Sequence, residues 1–224
     1  MTVPEGEWLI VEEAASTQDL AARGKSEVVL ARRQTAGRGR HGRVWHSEAG
    51  SSLAASIAFT SYKGHPRPWL IGMSVAVAAA GALHCSVRWP NDLILAGKKL
   101  GGVLTEIVDE TPIVGIGVNL GPMSFADALA GIATTLADHR ESHPHPKSPH
   151  RLIHRRFRGL PEPDSWQTLL PVWSLFDETP GKSYTLATGE CATAVGIGPE
   201  GELLALVAGE SVSVMAASAV LVPI

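Results

Sequence analysis

The sequence predicts an α+β protein: a mixed β-sheet flanked by helices, with a small β-barrel at the C-terminus. Three observations carry this reading. Short apolar or alternating runs of strand length recur through the first 120 residues, broken by one long Ala-rich helical stretch at 69–84. After Pro180-Gly181 the texture changes to short apolar strands separated by tight turns such as Gly198-Pro199-Glu200-Gly201, the pattern of a small barrel of roughly 45 residues. The 224 residues, 45% of them apolar, suffice for one large domain with an appendage. The boundary falls so that residues 1–177 form the main domain and 178–224 the C-terminal one.

The elements follow in order. Residues 7–11 read as a strand. Ser16-Thr17-Gln18-Asp19 reads as a helix start, with a hydroxyl cap and an acidic residue in the first turn. Strands are predicted at 28–31 and 52–59, on either side of a Gly- and Arg-rich loop. A strand at 87–89 runs into the turn signal Pro90-Asn91-Asp92. A hairpin of 93–95 and 100–108 has Ala96-Gly97 at its tip. The strand 113–120 carries Gly115 and Gly117 at alternate places, which lets another backbone or a ligand sit on that face. A weak helical period returns at 125–139, 142–150 reads as a Pro- and His-rich surface loop, and 165–176 as a helix. Strands at 192–196, 203–207 and 212–215 complete the chain.

The bulk composition excludes several classes. The charged fraction of 18% is too low for a disordered chain. The net charge of −3 disfavours a general nucleic-acid binder. The run 69–83 is shorter than the roughly 20 residues of a bilayer span. Glu5, Glu7, Glu12 and Glu13 do not suit a signal peptide. Cys85 and Cys191 have no metal-ligand spacing and read as free thiols of a cytoplasmic protein. The scattered histidines 139, 143, 145, 150 and 154 define no metal geometry.

The most informative stretch is Arg32-Arg33-Gln34-Thr35-Ala36-Gly37-Arg38-Gly39-Arg40-His41-Gly42-Arg43-Val44-Trp45. Glycines let the backbone approach a ligand closely, and arginines offer a planar fork of donors to phosphate or carboxylate. Such a loop is built for a dense anion: a nucleic-acid backbone or the phosphates of a small nucleotide. Other residue types carry chemistry too. Lys98 and Lys99 precede Gly101-Gly102; an ammonium there bridges two anions, or both lysines are exposed hairpin residues. Asn91 and Asp92 after Pro90 serve as turn caps or as groups facing phosphate and Mg²⁺. Asn119 ends a strand, as a turn former or a ligand contact. Trp45 stacks on a base or plugs the loop, and Trp89 lies in the core or in a pocket wall.

Four segments, in order, resemble the biotin protein ligase family: Ser16-Thr17-Gln18; Gln34 to Trp45 with Gly50 and Ser56; Arg88-Trp89-Pro90-Asn91-Asp92-Leu93 with Lys98-Lys99-Leu100-Gly101-Gly102-Val103-Leu104 and Glu106; and Gly115-Ile116-Gly117-Val118-Asn119-Leu120. The resemblance implies a sheet like that of class II aminoacyl-tRNA synthetases, with 1–177 as a biotin- and ATP-binding catalytic domain and 178–224 as an SH3-like domain. It implies a two-step reaction: biotin and ATP give biotinyl-5′-AMP and pyrophosphate, and biotin then passes to a lysine of a biotin carboxyl carrier domain. Carried over residue by residue, it makes Lys99, Arg38 and Arg40 catalytic. Biotin is assigned to Ser16, Thr17, Gln18, Gln34, Gly37, Arg38, Gly39, Arg40, Lys99 and Gly102. ATP is assigned to Arg38, Arg40, Arg43, Trp45, Asn91, Asp92, Lys99 and Asn119, with Mg²⁺ on Asp92. The neutral hydrogen-bonding residues suit the ureido ring of biotin. With no helix-turn-helix before Trp8, a monofunctional ligase without DNA binding is expected, as a monomer or homodimer and with no membrane partner. His41 stands where the family often has Arg, and the tail 216–220 lacks the usual Gly-Glu pair. The alternatives are a lipoate or octanoate ligase or transferase of related fold, and an RNA-binding module using the Arg-Gly loop.

Overall fold

The computed structural model describes residues 8–24, 27–139, 141, 148–215 and 219–221. Seven strands make the main sheet: β1 (Trp8–Ala14), β2 (Val28–Gln34), β3 (Ser52–Ala58), β4 (Ser86–Arg88), β5 (Asp92–Leu95), β6 (Lys98–Val108) and β7 (Thr111–Asn119). Their spatial order is β1-β2-β3-β7-β6-β5-β4, parallel between β1 and β2 and antiparallel elsewhere. The mixed sheet predicted from sequence is therefore present, with β1 and β2 extending further towards the Arg-Gly loop than their apolar residues alone indicate.

Strand alternation sorts the sheet into two faces. On one face Leu53, Ala55 and Ile57 of β3 and Val114, Ile116 and Val118 of β7 join the main core. That core is capped by α2 (Pro68–Leu83), whose residues from Leu70 to Leu83 are all buried. A helix apolar on every side has to be covered all round. Here the sheet covers one side, and α4 (Pro149–Arg158) and α5 (Trp166–Trp173) cover others. The approach to the sheet is close: a Cβ on Gly72 would lie 2.1 Å from Thr105 Oγ1. On the opposite face, α1 (Thr17–Ala22) packs Ala21 against Val29, Ala58 and Ile113.

Two segments differ from the sequence expectation. Residues 125–139 hold only a four-residue helix, α3 (Asp127–Ala130), and a short 3-10 turn at Ala137–His139. The rest of that segment follows β7 and β6 as irregular backbone, with Lys99 N donating to Ile132 O and Thr134 N to Lys99 O. The predicted loop 142–150 lies mostly outside the described residues, but its end is helical. Pro149 is the first residue of α4, whose Ile153 and Phe157 are buried. The four arginines of α4 obscure its narrow apolar stripe in the sequence.

The C-terminal region forms its own five-stranded antiparallel sheet, order β11-β10-β9-β8-β12, consistent with an SH3-like unit. Its strands are β8 (Ser183–Leu186), β9 (Cys191–Ile197), β10 (Leu203–Val207), β11 (Glu210–Val214) and β12 (Ala219–Leu221). The sequence reading lacked β8 and β12. This sheet is bolted to the turn after β4. Trp89 N donates to Thr179 Oγ1 (2.9 Å), Trp89 Nε1 to Gly201 O (2.9 Å), and Tyr184 Oη to Trp89 O (2.9 Å). Trp89 and Tyr184 meet edge to face, ring centroids 5.8 Å apart. The same tryptophan is almost wholly buried and also lines the cavity described next.

Candidate active site

The face that carries α1 also carries a cavity of about 570 Å³. Register explains which residues line it. Ser56 pairs with Gly115, Leu104 with Gly115, Gly102 with Gly117, and Asp92 with Gly102. Directly opposed residues share a face, so Ser56, Gly115, Gly117, Gly102 and Asp92 all point away from α2. Asn119 continues the same alternation along β7, and a bulge between Leu93 and Ile94 brings Lys99 onto this face. Of the residues singled out in the sequence, the structure brings Ser16, Thr17, Gln18, Gln34, Arg38, Gly39, Arg40, Arg43, Trp45, Asn91, Asp92, Lys99, Gly102 and Asn119 to the cavity wall. Gly37 is not on that wall; it is buried beneath the loop, where its carbonyl accepts from Trp45 N (2.9 Å).

One end of the cavity is neutral. Ser16 caps α1, its hydroxyl accepting from Gln18 N. Thr17 N and Oγ1 both donate to Gln34 Oε1, at 2.8 and 3.0 Å, and Thr17 Oγ1 meets Ser56 Oγ at 2.7 Å. Gln18 Nε2 donates to Leu104 O and Ile113 O, which leaves the buried Gln18 Oε1 without a protein partner. A buried acceptor in that state costs about 1–3 kcal/mol, and a ligand N–H would relieve it.

The Arg-Gly loop is ordered by its own backbone. Gly39 N donates to Arg43 O (2.8 Å), Arg43 N to Arg40 O (3.2 Å), and Arg38 and Val44 form a bridge. His41 takes φ 56°, a left-handed conformation at the loop's tip. Arg38 does not face the cavity as a free cation. Its guanidinium bonds Glu106 at 2.9 and 3.1 Å and Asp19 at 2.8 Å, and these carboxylates hold its pKa well above the ordinary value. Arg40, two residues on, donates to the neutral Asn91 Oδ1 (3.3 Å), and burial pushes its pKa down. Trp45 lies flat against β7: a Cβ on Gly117 would meet its indole at 2.4–2.8 Å. That glycine is what admits the ring.

The other end is charged. Lys99 Nζ donates to Asp92 Oδ1, while Lys98 is exposed on the far side of the strand. Asn91 Nδ2 donates to Val103 O (2.6 Å), which fixes the side chain that receives Arg40. Asn119 Nδ2 donates to Thr134 O (3.0 Å). Among the described residues no cluster of three metal-ligating side chains occurs. Asp92 offers one carboxylate at this end, which suits Mg²⁺ held jointly by phosphate oxygens and water. Of the histidines considered for a metal, His150 and His154 instead meet Trp8 edge to face.

Sequence reasoning missed part of the wall. Met123, Phe125, Leu129 and Ile132 line it from the segment after β7 that holds α3, where the weak period does not single them out. Ser56 was recoverable, because it alternates with Leu53, Ala55 and Ile57 and therefore faces the cavity. The acidic partners of Arg38 carried no local signal.

Residues 16–122 match the sequence model of the Biotin/lipoate A/B protein ligase family. Over 152 residues the chain is 36% identical to the Bifunctional ligase/repressor BirA of Bacillus spizizenii, an alignment covering 59% of this chain and 47% of that protein. It is 29% identical over 128 residues to the Biotin--[acetyl-CoA-carboxylase] ligase of Mycobacterium tuberculosis, covering 50% and 48% respectively. The chain thus spans about half the length of the curated relatives it matches. Among solved structures, the biotin protein ligase of Aquifex aeolicus in complex with biotin and ATP superposes with a TM-score of 0.78 at 25% identity, over 96% of this chain and 98% of that one. The Leishmania major biotin protein ligase bound to biotinyl-5-AMP shares the fold, with a TM-score of 0.63 at 22% identity over 95% and 100%.

Proposed function

We propose that this chain, whose residues 16–122 match the Biotin/lipoate A/B protein ligase family model, is a biotin protein ligase: it activates biotin with ATP to biotinyl-5′-AMP and transfers biotin to a lysine of a carrier domain. The observation that carries the reading is the division of one cavity into a neutral end and a charged end. The neutral end, with Thr17, Gln18, Gln34 and Ser56, offers donors and acceptors without charge, as a ureido ring requires. The charged end, with Lys99, Asp92 and Arg40, receives a carboxylate and a triphosphate.

In the first step a biotin carboxylate oxygen bonds to the α-phosphorus of ATP and the bond to the β-phosphate oxygen breaks, releasing pyrophosphate. Two anions have to approach each other. The Lys99 ammonium, held by Asp92, is placed to lie between them, and Arg40 is anchored by Asn91 to face the same phosphate. Trp45 on Gly117, with Met123, Phe125, Leu129 and Ile132, gives adenine a place to stack and excludes water. Mg²⁺ on Asp92 and the phosphates would neutralise the leaving pyrophosphate. In the second step the carrier lysine amine attacks the acyl carbon and AMP leaves; the carrier is expected to be the biotin domain of a biotin-dependent carboxylase. Arg38, already neutralised, acts by pinning the loop to α1 and β6. Both cysteines are free thiols and no described helix is long and apolar enough to cross a membrane; we place the reaction in the cytosol.

Biotin-dependent ATP–pyrophosphate exchange, followed by transfer of biotin to an acceptor carrier domain, tests the assignment. Exchange driven by lipoate and not by biotin would overturn it.

A further inference from the structure

The cavity wall carries six Arg or Lys side chains and two carboxylates, Asp92 and Glu48. Asp92 is matched by Lys99. Among the described residues the Glu48 carboxylate forms no ion pair and accepts no hydrogen bond; only the backbone of Glu48 is bonded. A second anion on this wall opposes a triphosphate instead of holding it. Such a carboxylate attracts a cation. In the proposed reaction one arrives after pyrophosphate has left: the side chain of the carrier lysine, an ammonium at neutral pH.

Glu48 is exposed and also lines the wall, so it stands at the cavity's mouth. Its backbone is fixed there. Glu48 N donates to Ser52 Oγ (3.2 Å), and Ser51 N donates to Glu48 O (3.2 Å), closing a tight turn after Trp45. Leu120 N and Gly121 N both donate to Ser51 O, at 2.8 and 3.0 Å, and Ser52 pairs with Asn119. The turn is therefore held against the end of β7, two residues along from Gly117, on which Trp45 lies. Gly117 in turn stands opposite Gly102, the neighbour of Asp92 and Lys99. Glu48 thus occupies the rim of the sheet face that carries the reacting centre.

We propose that Glu48 receives the incoming lysine of the carrier at the cavity mouth and stabilises the positive charge on its nitrogen during acyl transfer. The proposal rests on the reading of the cavity as a biotin-adenylating site. The ammonium first gives a proton to water. The amine lone pair then forms a bond to the acyl carbon of biotinyl-5′-AMP, and the acyl C–O bond breaks with its electron pair leaving on AMP. The new nitrogen is cationic until it loses a second proton, which the Glu48 carboxylate accepts and passes to water. A rim made of arginines and lysines alone would repel the substrate of this step; one carboxylate reverses the sign where the chain enters.

The test uses the full chain with Glu48→Gln and Glu48→Asp. Transfer from synthetic biotinyl-5′-AMP to a carrier domain should fall about 10-fold in kcat/KM for the carrier with Glu48→Gln, the scale of one charge-assisted contact, and Glu48→Asp should recover most of it. Formation of biotin hydroxamate from biotin, ATP and hydroxylamine, a nucleophile uncharged at neutral pH, should change less than about twofold, because no cation has to enter. Unchanged transfer to the carrier overturns the proposal, and so does an equal loss with hydroxylamine. A rise in the KM for ATP that is absent with 2′-deoxy-ATP would give the carboxylate to the ribose and overturn it as well. If the unaltered protein shows no biotin-dependent pyrophosphate exchange, the adenylation reading itself fails, a result separate from any outcome of the variants.

Discussion

The two ends of the cavity are built from the same sheet face, yet they handle polarity in opposite ways. At the α1 end, polar groups satisfy one another: Thr17, Gln34 and Ser56 interlock, and the nearest cation, Arg38, is cancelled by Asp19 and Glu106. At the β5–β6 end, cations outnumber anions, and Arg40 rests on a neutral amide. The contrast between Arg38 and Arg40, two positions apart in one loop, shows that a run of arginines is not a uniform anion cradle. Which member faces the ligand depends on whether carboxylates lie within reach when the loop folds over.

The contrast breaks most sharply at Lys99. Lys99→Ala should lower the rate of biotin-dependent pyrophosphate exchange about 10³-fold, the scale for losing a preorganised charge at the reacting phosphate. Lys98→Ala should stay within about twofold, since that side chain projects to solvent. The reverse ranking would undo the assignment. Next in size, Arg40→Ala should cost about 10²-fold in kcat. Arg38→Ala should act mainly on the KM for biotin, about 10-fold, by releasing the loop from α1 and β6. Equal losses of kcat at both arginines would erase the distinction between the ends.

At the neutral end, Thr17→Val removes a donor to Gln34 and a contact with Ser56. Biotin affinity measured by calorimetry should fall about 10-fold, near 1.4 kcal/mol, with the KM for ATP little changed. A larger effect on ATP than on biotin would mean the ends are wrongly oriented. The smallest effect concerns the two thiols. Cys85 is buried, which pushes its pKa up to about 12, whereas Cys191 is exposed. A raised pKa keeps the thiol protonated and unreactive through pH 9. A thiol reagent should therefore label one cysteine per folded chain and both in denaturant. Two fast-reacting thiols in the native protein would contradict the packing of Cys85 beneath α2.

Much of the fold was readable because local rules and tertiary demands agree. Leu53, Ala55 and Ile57 alternate with Ala54, Ser56 and Ala58, and the structure sends the first set to the core. Ser16 and Asp19 announce the start of α1, and the apolar run through Val75 and Ala79 is the buried helix its composition suggests. Reading failed where local signals were mixed. The apolar stripe of α4, Ile153 and Phe157, sits among four arginines and two histidines, so the helix resembled a loop. The wall from Met123 to Ile132 shows only a weak period because it holds a single four-residue helix, α3, and then joins Lys99 through backbone bonds at Ile132 and Thr134.

The sequence by itself determined the alternation of the strands, the glycines at 115 and 117, the arginine-rich loop and the presence of a lysine beside Gly101-Gly102. Tertiary structure alone decided that Gly102 stands opposite Gly117, that a bulge turns Lys99 inward, that Asp19 and Glu106 cancel Arg38, and that Thr17, Gln34 and Ser56 interlock at one end of the cavity. The physical reason is range. Periodicity and turn chemistry act over a few residues, whereas strand register and charge pairing join groups far apart in the chain.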